Sequence, residues 1–230
     1  MKTIGLIGGM SWESSAQYYR HINEAVRERL GGLHSARCVM YSVDFAEVSE
    51  LQRNAQWPEA TQAMVEAAKR LQAGGADCVL ICTNTMHKMA EDVQAAIDVP
   101  LIHIVDVTGE AVRAQGLKTV GLLGTLFTME EDFWRGRLAR NFDLEVLIPE
   151  RSDRESVHRI IYDELCQGIV KAESRQRYLD IVGGLVERGA EGIALGCTEI
   201  PLLVKAEHVQ VPLFDTTAIH AQAAVDFALA

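Results

Sequence analysis

The sequence predicts an α/β protein made of two similar open parallel-sheet domains, related by a pseudo-twofold axis, with an active site in the cleft between them. Three pairs of segments carry this prediction. KTIGLIGG at residues 2–9 recurs as KTVGLLGT at 118–125, GADCVLICTNT at 75–85 recurs as GAEGIALGCTE at 189–199, and VPLIHI from Val99 recurs as VPLFDT from Val211. The offsets are 116, 114 and 112 residues. Echoes in the same order at nearly constant offset indicate one duplicated half rather than a solenoid of many short repeats.

Each half shows the same order of elements. The opening apolar runs, 3–7 and 119–123, end in glycine, as a buried parallel strand does where it leads into a turn. Further strands are predicted at 38–43, 78–82, 144–148 and 192–195. Helices are predicted at 14–29, 58–73, 129–141, 175–188 and 217–230. Strands that alternate with helices of this length favour parallel sheets with both faces covered.

The domain boundaries follow from the expected path of the last helix. If that helix returns to the first half, one domain comprises residues 1–100 and 211–230, and the other comprises 101–210. Ligands of open α/β sheets bind beyond the carboxyl ends of the strands. Two such domains facing each other would bring both sets of strand ends to one cleft.

Composition excludes several classes of function. The chain has 230 residues and a net charge of −10, with acidic residues spread along its length, so a nucleic-acid partner is not expected. No apolar run approaches the roughly 20 residues that cross a bilayer, and the N-terminus lacks a signal-peptide pattern, which predicts a cytoplasmic protein without a membrane partner. The five cysteines show no ligand-like pair, so neither a metal site nor a disulfide framework is expected.

The second echo aligns two polar triplets that directly follow apolar strands. Its aligned pairs are Thr83 with Cys197, Asn84 with Thr198, and Thr85 with Glu199. Each triplet taken alone could be a helix N-cap. Because both occur where the backbone leaves the sheet, after matched strands, we interpret them as ligand-facing positions.

Together with these triplets, longer motifs resemble the aspartate/glutamate racemase family over nearly the whole chain. The resemblance is carried by GLIGGMSWESSAQYY, YSVDFAEVSELQ, TNTMH, LGCTEIP and VPLFDTTAIHA. It implies a two-lobed, dimeric enzyme that acts on an amino acid without pyridoxal phosphate. It also implies two cysteines, one from each half, which exchange the α-proton on opposite faces of the substrate.

The chemistry agrees with this resemblance. Inverting a stereocentre by proton transfer requires an acid–base group on each face, and a thiol titrates close enough to neutral pH to act in both directions. Helix N-termini after Thr83 and Cys197 are expected to lower a thiol pKa and to bind the substrate carboxylate, with Asn84, Thr85 and Thr198 as further donors. No lysine lies in the site motifs, so no cofactor is expected.

The sequence departs from the family pattern at one catalytic position. Thr83 stands where the resemblance implies the first cysteine, and Cys82 precedes it within the apolar run VLIC. Successive strand residues point to opposite faces, so Cys82 is expected to point away from the cleft. The second-half cysteine serves the L-face if the resemblance to glutamate racemases holds. Cys197 would then act on L-substrates, and Thr83, a poor base, would act on D-substrates.

Other residues complete the predicted substrate site. Met10 follows the GLIGG turn, whose glycines would let the backbone approach a ligand, and Thr125 echoes Gly9. The resemblance implies that Gln52 recognises the substrate side chain, although an exposed helix residue is an equal alternative, and the neighbouring Arg53 could supply a cation.

The resemblance implies that Cys166 and Gly168 also face the substrate. A buried, small apolar role explains Cys166 equally well. His87, which follows TNTM, is interpreted as a capping or packing histidine rather than as a catalyst.

Two alternatives to a racemase of acidic or polar amino acids remain open at this stage. A single-thiol relative, such as an arylmalonate decarboxylase or a hydantoin racemase, needs only one good cysteine. A non-catalytic two-lobed protein that binds an acidic amino acid would not need Cys197. Incorporation of solvent deuterium at the α-carbon distinguishes catalysis from binding.

Overall fold

The computed structural model describes residues 1–230. The chain folds into two compact units, residues 1–103 with 220–230 and residues 104–219. None of the helices combines the length and the apolar character needed to cross a membrane.

The first unit contains three strands with helices on both faces. Its elements are β1 (Ile4–Gly8), α1 (Trp12–Leu30), β2 (Cys38–Ser42), α2 (Phe45–Arg53), α3 (Trp57–Ala73), β3 (Cys78–Ile81), a 3-10 helix (Thr85–Met89) and α4 (Ala90–Ala95). The strands are parallel, in the order β2-β1-β3. Leu101 adds an isolated parallel bridge to Val79, beside β3.

Every residue of β1 is buried, because successive side chains point to opposite faces of the sheet and both faces are covered. Ile4 and Leu6 pack in one apolar cluster with Tyr18 of α1. Ile7 packs in a second cluster, with Met64 of α3. Both faces are therefore covered, as the apolar run predicts for a parallel strand.

The second unit contains four strands. Its elements are α5 (Ile104–Ala114), β4 (Thr119–Gly124), α6 (Leu126–Glu130), α7 (Asp132–Phe142), β5 (Glu145–Leu147), α8 (Arg151–Asp163), a 3-10 helix (Leu165–Gln167), α9 (Ala172–Glu187), β6 (Gly192–Gly196), α10 (Ile200–Leu203), a 3-10 helix (Ala206–His208) and β7 (Leu213–Asp215). The last helix, α11 (Thr216–Leu229), starts here, and its residues from His220 belong to the first unit. The strands are parallel, in the order β5-β4-β6-β7.

The echoed residues make the same contacts in both units. The N–H of Asp77 donates to the carbonyl of Thr3 (2.8 Å), and that of Glu191 donates to the carbonyl of Thr119 (2.9 Å). Each acidic side chain accepts in return, Asp77 from the Thr3 N–H at 2.6 Å and Glu191 from the Thr119 N–H at 2.9 Å. The predicted pair of similar parallel-sheet α/β domains is confirmed.

The C-terminal boundary differs from the predicted one. Leu213 and Asp215 of β7 pair with Ile193 and Leu195 of β6, so residues 211–219 lie in the second unit rather than in the first. The bridge at Leu101 likewise places residues 101–103 in the first unit. Strand pairing, which sequence position does not reveal, assigns both of these segments to their units.

The helix predicted at 129–141 is two helices. Glu131, with φ −84° and ψ 155°, is extended and separates α6 from α7. The N–H of Glu131 closes the shorter helix by donating to the carbonyl of Phe127 at 3.2 Å.

Candidate active site

Thr83 lies in a tight turn that follows β3. Its N–H donates to the carbonyl of Ile81 at 2.8 Å, and its side chain is half-buried. The hydroxyl of Ser14 donates to the Cys82 carbonyl at 2.9 Å, and His87 Nδ1 lies 2.7 Å from the Thr83 carbonyl oxygen. Two side chains therefore hold the backbone that presents Thr83.

Cys82 points into the core, as the strand alternation predicts. It is fully buried and packs in the same cluster as Tyr18 and Ile22 of α1. Burial raises the pKa of the Cys82 thiol well above its usual range, and it raises the pKa of Cys38 to about 11 and that of Cys78 to about 12. These three thiols are protonated at neutral pH and are poor bases.

Asn84 and Thr85 are buried, but no α-helix begins directly after Thr83. The residues from Thr85 to Met89 form one short 3-10 helix, and Asn84 at its start makes no side-chain cap. The expected helix N-terminus is therefore wrong for this half. A 3-10 turn this short aligns too few peptide dipoles to create the predicted field.

Met10 and Gln52 are both buried in the first unit. Met10 belongs to the apolar cluster that also contains Met86. The amide of Gln52, which is 5% exposed, donates to the sulfur of Met86 at 3.1 Å. Gln52 is therefore not the exposed helix residue that was the alternative. Arg53 is exposed, and its Nε donates to the Ser49 carbonyl in the same helix.

Three buried histidines lie beside the Thr83 turn. The ring of His87 is 4.8 Å from that of His103 and 5.4 Å from that of His220. His220 Nε2 lies 2.7 Å from the Ile102 carbonyl oxygen, and its Nδ1 lies 2.8 Å from the Tyr18 hydroxyl. A neutral imidazole satisfies both contacts, with Nε2–H donating and Nδ1 accepting. Burial accordingly lowers the pKa of His220 to about 3.

In the second unit, Cys197 directly follows β6 and contacts a buried carboxylate. Its thiol donates to Oε2 of Glu199 at 3.0 Å, and the hydroxyl of Thr198 donates to the same oxygen at 2.6 Å. Glu199 is 5% exposed, whereas Cys197 and Thr198 are half-buried. The structure thus brings together the whole predicted triplet of this half.

The environment of Cys197 corrects the predicted direction of its pKa. Burial, and then the Glu199 charge, raises the pKa of the thiol well above its usual value, whereas a helix N-terminus was expected to lower it. The helix that follows begins only at Ile200 and has four residues. A close carboxylate outweighs so short a helix.

Cys166 lies close enough to Cys197 to influence its pKa. Its charge adds to the rise in the pKa of Cys197, and both cysteines add to the burial effect that raises the pKa of Tyr178. Cys166 is half-buried in the 3-10 helix Leu165–Gln167, and Gly168 ends that helix with φ 72°. Tyr178 is fully buried, and no motif distinguished it from an ordinary core residue.

Thr125, which echoes Gly9 and is predicted to line the substrate site, caps the short helix α6. Its side chain accepts a hydrogen bond from the N–H of Thr128 at the start of α6. The N–H of Leu126, the first residue of α6, donates to Nδ1 of His158 at 3.2 Å. Burial lowers the pKa of this histidine. His158 was not predicted, because 32 residues separate it from its partner.

The predicted site residues are divided between the two units. Thr83, Asn84 and Thr85 are consecutive in the first unit, where Met10 and Gln52 also lie. The second unit holds Thr125, Cys166, Gly168 and the triplet from Cys197 to Glu199. No group of three or more His, Cys, Asp or Glu side chains is placed to hold a metal ion.

Comparison with known proteins identifies the family. The model of the Asp/Glu/Hydantoin racemase family matches residues 7–224. The crystal structure of a candidate Asp/Glu racemase from Yersinia pestis is similar over 100% of both chains, with 52% identity and a TM-score of 0.94. An aspartate racemase homologue from Pyrococcus horikoshii OT3 matches over 100% of both chains, with 34% identity and a TM-score of 0.88.

A curated relative agrees. The broad specificity amino-acid racemase RacX of Bacillus subtilis is 21% identical over 99% of this chain and 98% of its own length. The chain therefore belongs to the Asp/Glu/Hydantoin racemase family and is an enzyme of the amino-acid racemase class.

Proposed function

We propose that this enzyme is a cofactor-independent racemase of an acidic or polar amino acid. In this proposal Cys197 removes the α-proton of the L-enantiomer, and Thr83 serves the opposite face of the α-carbon. The observation that carries it is the cysteine at the carboxyl end of β6, whose counterpart after β3 is a threonine.

The chemistry of the two positions supports a preference for L-substrates. A thiol has an ordinary pKa of about 8.5 and can act as a base, whereas a threonine hydroxyl is far less acidic. Cys82, the nearest thiol to the position of the missing one, is fully buried in the core. Proton removal from the D-enantiomer therefore depends on Thr83, and we expect it to be slow.

The remaining site residues are proposed to bind the substrate. Gln52 is held by a thioether sulfur, a weak acceptor that it can exchange for a polar substrate group. Asn84, Thr85, Thr125 and Thr198 supply further polar groups, and Met10, Cys166, Gly168 and Glu199 complete the set. We also propose that the enzyme is a cytoplasmic homodimer, and sedimentation equilibrium tests the dimer.

The decisive experiment measures solvent deuterium at the α-carbon of each enantiomer of aspartate, glutamate and their amides. Wild-type protein should label the L-enantiomer of the best substrate readily and the D-enantiomer little. Cys197→Ser should lower the rate of α-proton exchange with the L-enantiomer by at least about 100-fold, as removal of a general base does. Cys78→Ser is the matched control and should keep the wild-type rate. Wild-type exchange by Cys197→Ser would refute the assignment.

A further inference from the structure

The short 3-10 helix after Thr83 brings a histidine side chain to the backbone of the turn. In an α-helix the N–H of His87 would donate to the carbonyl of Thr83, four residues earlier. Here that N–H donates to the carbonyl of Asn84, three residues earlier, at 3.0 Å. The imidazole takes the place of the missing helical bond, since His87 Nδ1 lies 2.7 Å from the Thr83 carbonyl oxygen. His87 thus binds this turn through both its backbone and its side chain.

The contact with Thr83 determines which ring nitrogen of His87 carries a hydrogen. A carbonyl oxygen only accepts hydrogen bonds, so Nδ1 must be the protonated nitrogen. His87 is 2% exposed, and its ring packs against the rings of His103 and His220. His220 is itself held at both ring nitrogens, by the Tyr18 hydroxyl and by a backbone carbonyl. The ring of His87 therefore has little room to turn away from the carbonyl.

Ser14 binds the preceding peptide in the same way. Its hydroxyl, which belongs to a residue that is 1% exposed, donates to the carbonyl of Cys82 at 2.9 Å. Two consecutive carbonyls therefore accept hydrogen bonds from buried side chains. Because peptide units are planar, these bonds fix the two planes on either side of the Thr83 α-carbon. The direction in which the Thr83 side chain leaves the backbone is fixed with them.

We propose that His87 is a positioning residue, which holds the Thr83 side chain in its working orientation by donating from Nδ1 to the Thr83 carbonyl. The proposal rests on the role given to Thr83 above. His87 itself neither touches the substrate nor exchanges a proton with it. Without the imidazole, the N–H of residue 87 can donate to the Thr83 carbonyl as in an α-helix, which moves the turn. Thr83 then serves its face of the α-carbon poorly, whereas Cys197 is unaffected.

The first test determines the tautomer of His87 in the folded protein without substrate. Full-length protein with ¹⁵N-labelled histidines is studied by long-range proton–nitrogen NMR correlation at neutral pH. The signals of His87 are those that are missing from the spectrum of His87→Asn. We expect a hydrogen on Nδ1. A ring whose only hydrogen is on Nε2 would overturn the proposal, because Nδ1 could not then donate to a carbonyl.

The second test measures how the two faces of the α-carbon share the reaction in deuterated water. Labelled L-enantiomer forms from L-substrate by exchange through Cys197 alone, whereas D-enantiomer forms only when the opposite face is protonated. His87→Ala should lower the ratio of D-enantiomer formed to L-enantiomer labelled by at least about tenfold, because a small displacement of a reacting group is costly. The same comparison in a Thr83→Cys background uses a stronger acid–base group at position 83. An unchanged ratio in both backgrounds would refute the role of His87.

A conservative variant separates positioning from general support of the fold. The side-chain amide of asparagine can donate from nearly the position of Nδ1, so His87→Asn should keep the ratio within about twofold of wild type, less than the net effect of one lost hydrogen bond. His220→Gln removes a neighbouring buried imidazole that binds a different carbonyl, and it is the matched control. It should also keep the ratio. Equal losses in His87→Ala, His87→Asn and His220→Gln would mean that His87 only packs, contrary to the proposal.

The two proposals fail in different ways. A wild-type ratio in Thr83→Ala refutes the role of Thr83 and, with it, the role of His87. A lower ratio in Thr83→Ala together with an unchanged ratio in His87→Ala refutes the role of His87 alone. Because His87 acts through Thr83, adding His87→Ala to Thr83→Ala should cause no further loss, whereas independent effects would add. Far-ultraviolet circular dichroism of each variant confirms that it is folded.

Discussion

At the scale of single residues, the threonine at position 83 separates this chain from the two-cysteine pattern that its resemblance implies. The turn that carries Thr83 is held through the Cys82 and Thr83 carbonyls, which are backbone groups. A substitution of the side chain therefore leaves the supports of the turn in place. Position 83 is therefore suited to a direct test of what limits proton removal from the D-enantiomer.

We predict that Thr83→Cys accelerates exchange of the D-enantiomer by about 100-fold or more, which is the effect of a positioned general base. The rate with the L-enantiomer should change much less, since Cys197 is untouched. Deuterium incorporation is measured from each enantiomer separately, with Thr83→Ser as the control that keeps a hydroxyl. Equal L and D rates in the unaltered protein would show that a second base already operates.

Close packing of the backbone explains why position 9 holds a glycine. Its φ is +94°, and a Cβ atom there would lie 2.2 Å from the Val43 carbonyl oxygen. The GLIGG turn predicted the approach of a ligand at this glycine, whereas the structure places a neighbouring loop of the protein against it. The close approach leaves no room for any side chain.

Gly9→Ala should therefore lower the free energy of unfolding by more than about 3 kcal/mol, the range of severe steric and strain effects. Gly31 has φ +71°, and a Cβ atom there would have no neighbouring atom within 4 Å. Gly31→Ala should lose about 1–3 kcal/mol from backbone strain alone, because its φ of 71° and ψ of −176° lie in a region that is essentially confined to glycine. Urea unfolding of both variants measures the difference, and equal losses would mean that the contact with Val43 relaxes.

At the scale of elements, α11 inserts a histidine into the core of the first unit. His220 lies between the hydroxyl of Tyr18 in α1 and the carbonyl of Ile102, with the rings of His87 and His103 nearby. The folded protein holds this imidazole neutral, with a pKa of about 3. The unfolded chain has an ordinary histidine pKa near 6.5.

The protein should consequently lose stability as the pH falls below about 6.5, because the unfolded state then binds a proton that the folded state excludes. The contribution reaches about 1.4 kcal/mol per pH unit and continues down to the folded pKa. Urea unfolding at pH 7, 6 and 5 should show a smaller slope in His220→Gln than in wild type. The exposed His34→Gln is the control, and identical slopes in all three proteins would contradict the burial of a neutral His220.

At the scale of the whole molecule, the two copies of the duplicated half agree at one end of their strands and differ at the other. Both units keep the carboxylate that fastens the strand ends, Asp77 in one and Glu191 in the other. At the opposite ends of these strands the units differ, since the Thr83 carbonyl contacts His87 and the Cys197 thiol contacts Glu199. The contacts at the starts of the strands are the same in both units, whereas the residues that follow the strands differ.

We predict that activity requires neither pyridoxal phosphate nor a metal ion. The reason is that the proposed proton transfers use only side chains of this chain, and no lysine lies in the site motifs to form a Schiff base. Dialysis against EDTA and then against hydroxylamine should leave the exchange rate with the best L-substrate within about twofold of the untreated rate, a change below about 0.5 kcal/mol in the barrier. Loss of activity that added cofactor restores would overturn this prediction.

The sequence by itself determined the two copies, the parallel strands and the positions of Thr83 and Cys197. These features depend on local apolar runs and on an internal echo, both of which can be read without knowing the fold. The turn into α10 and the 3-10 helix after Asn84 were misjudged, because a polar residue after a strand is compatible with several kinds of turn.

Only the tertiary structure decided the surroundings of these residues. Contacts between distant segments bring His220 to Tyr18 and His158 to Leu126, across 202 and 32 residues. The direction of the Cys197 pKa also depends on burial by the fold and on where the Glu199 carboxylate points. Desolvation and electrostatic interactions are set by three-dimensional neighbours, so the sequence placed Cys197 after β6 but did not determine its protonation state.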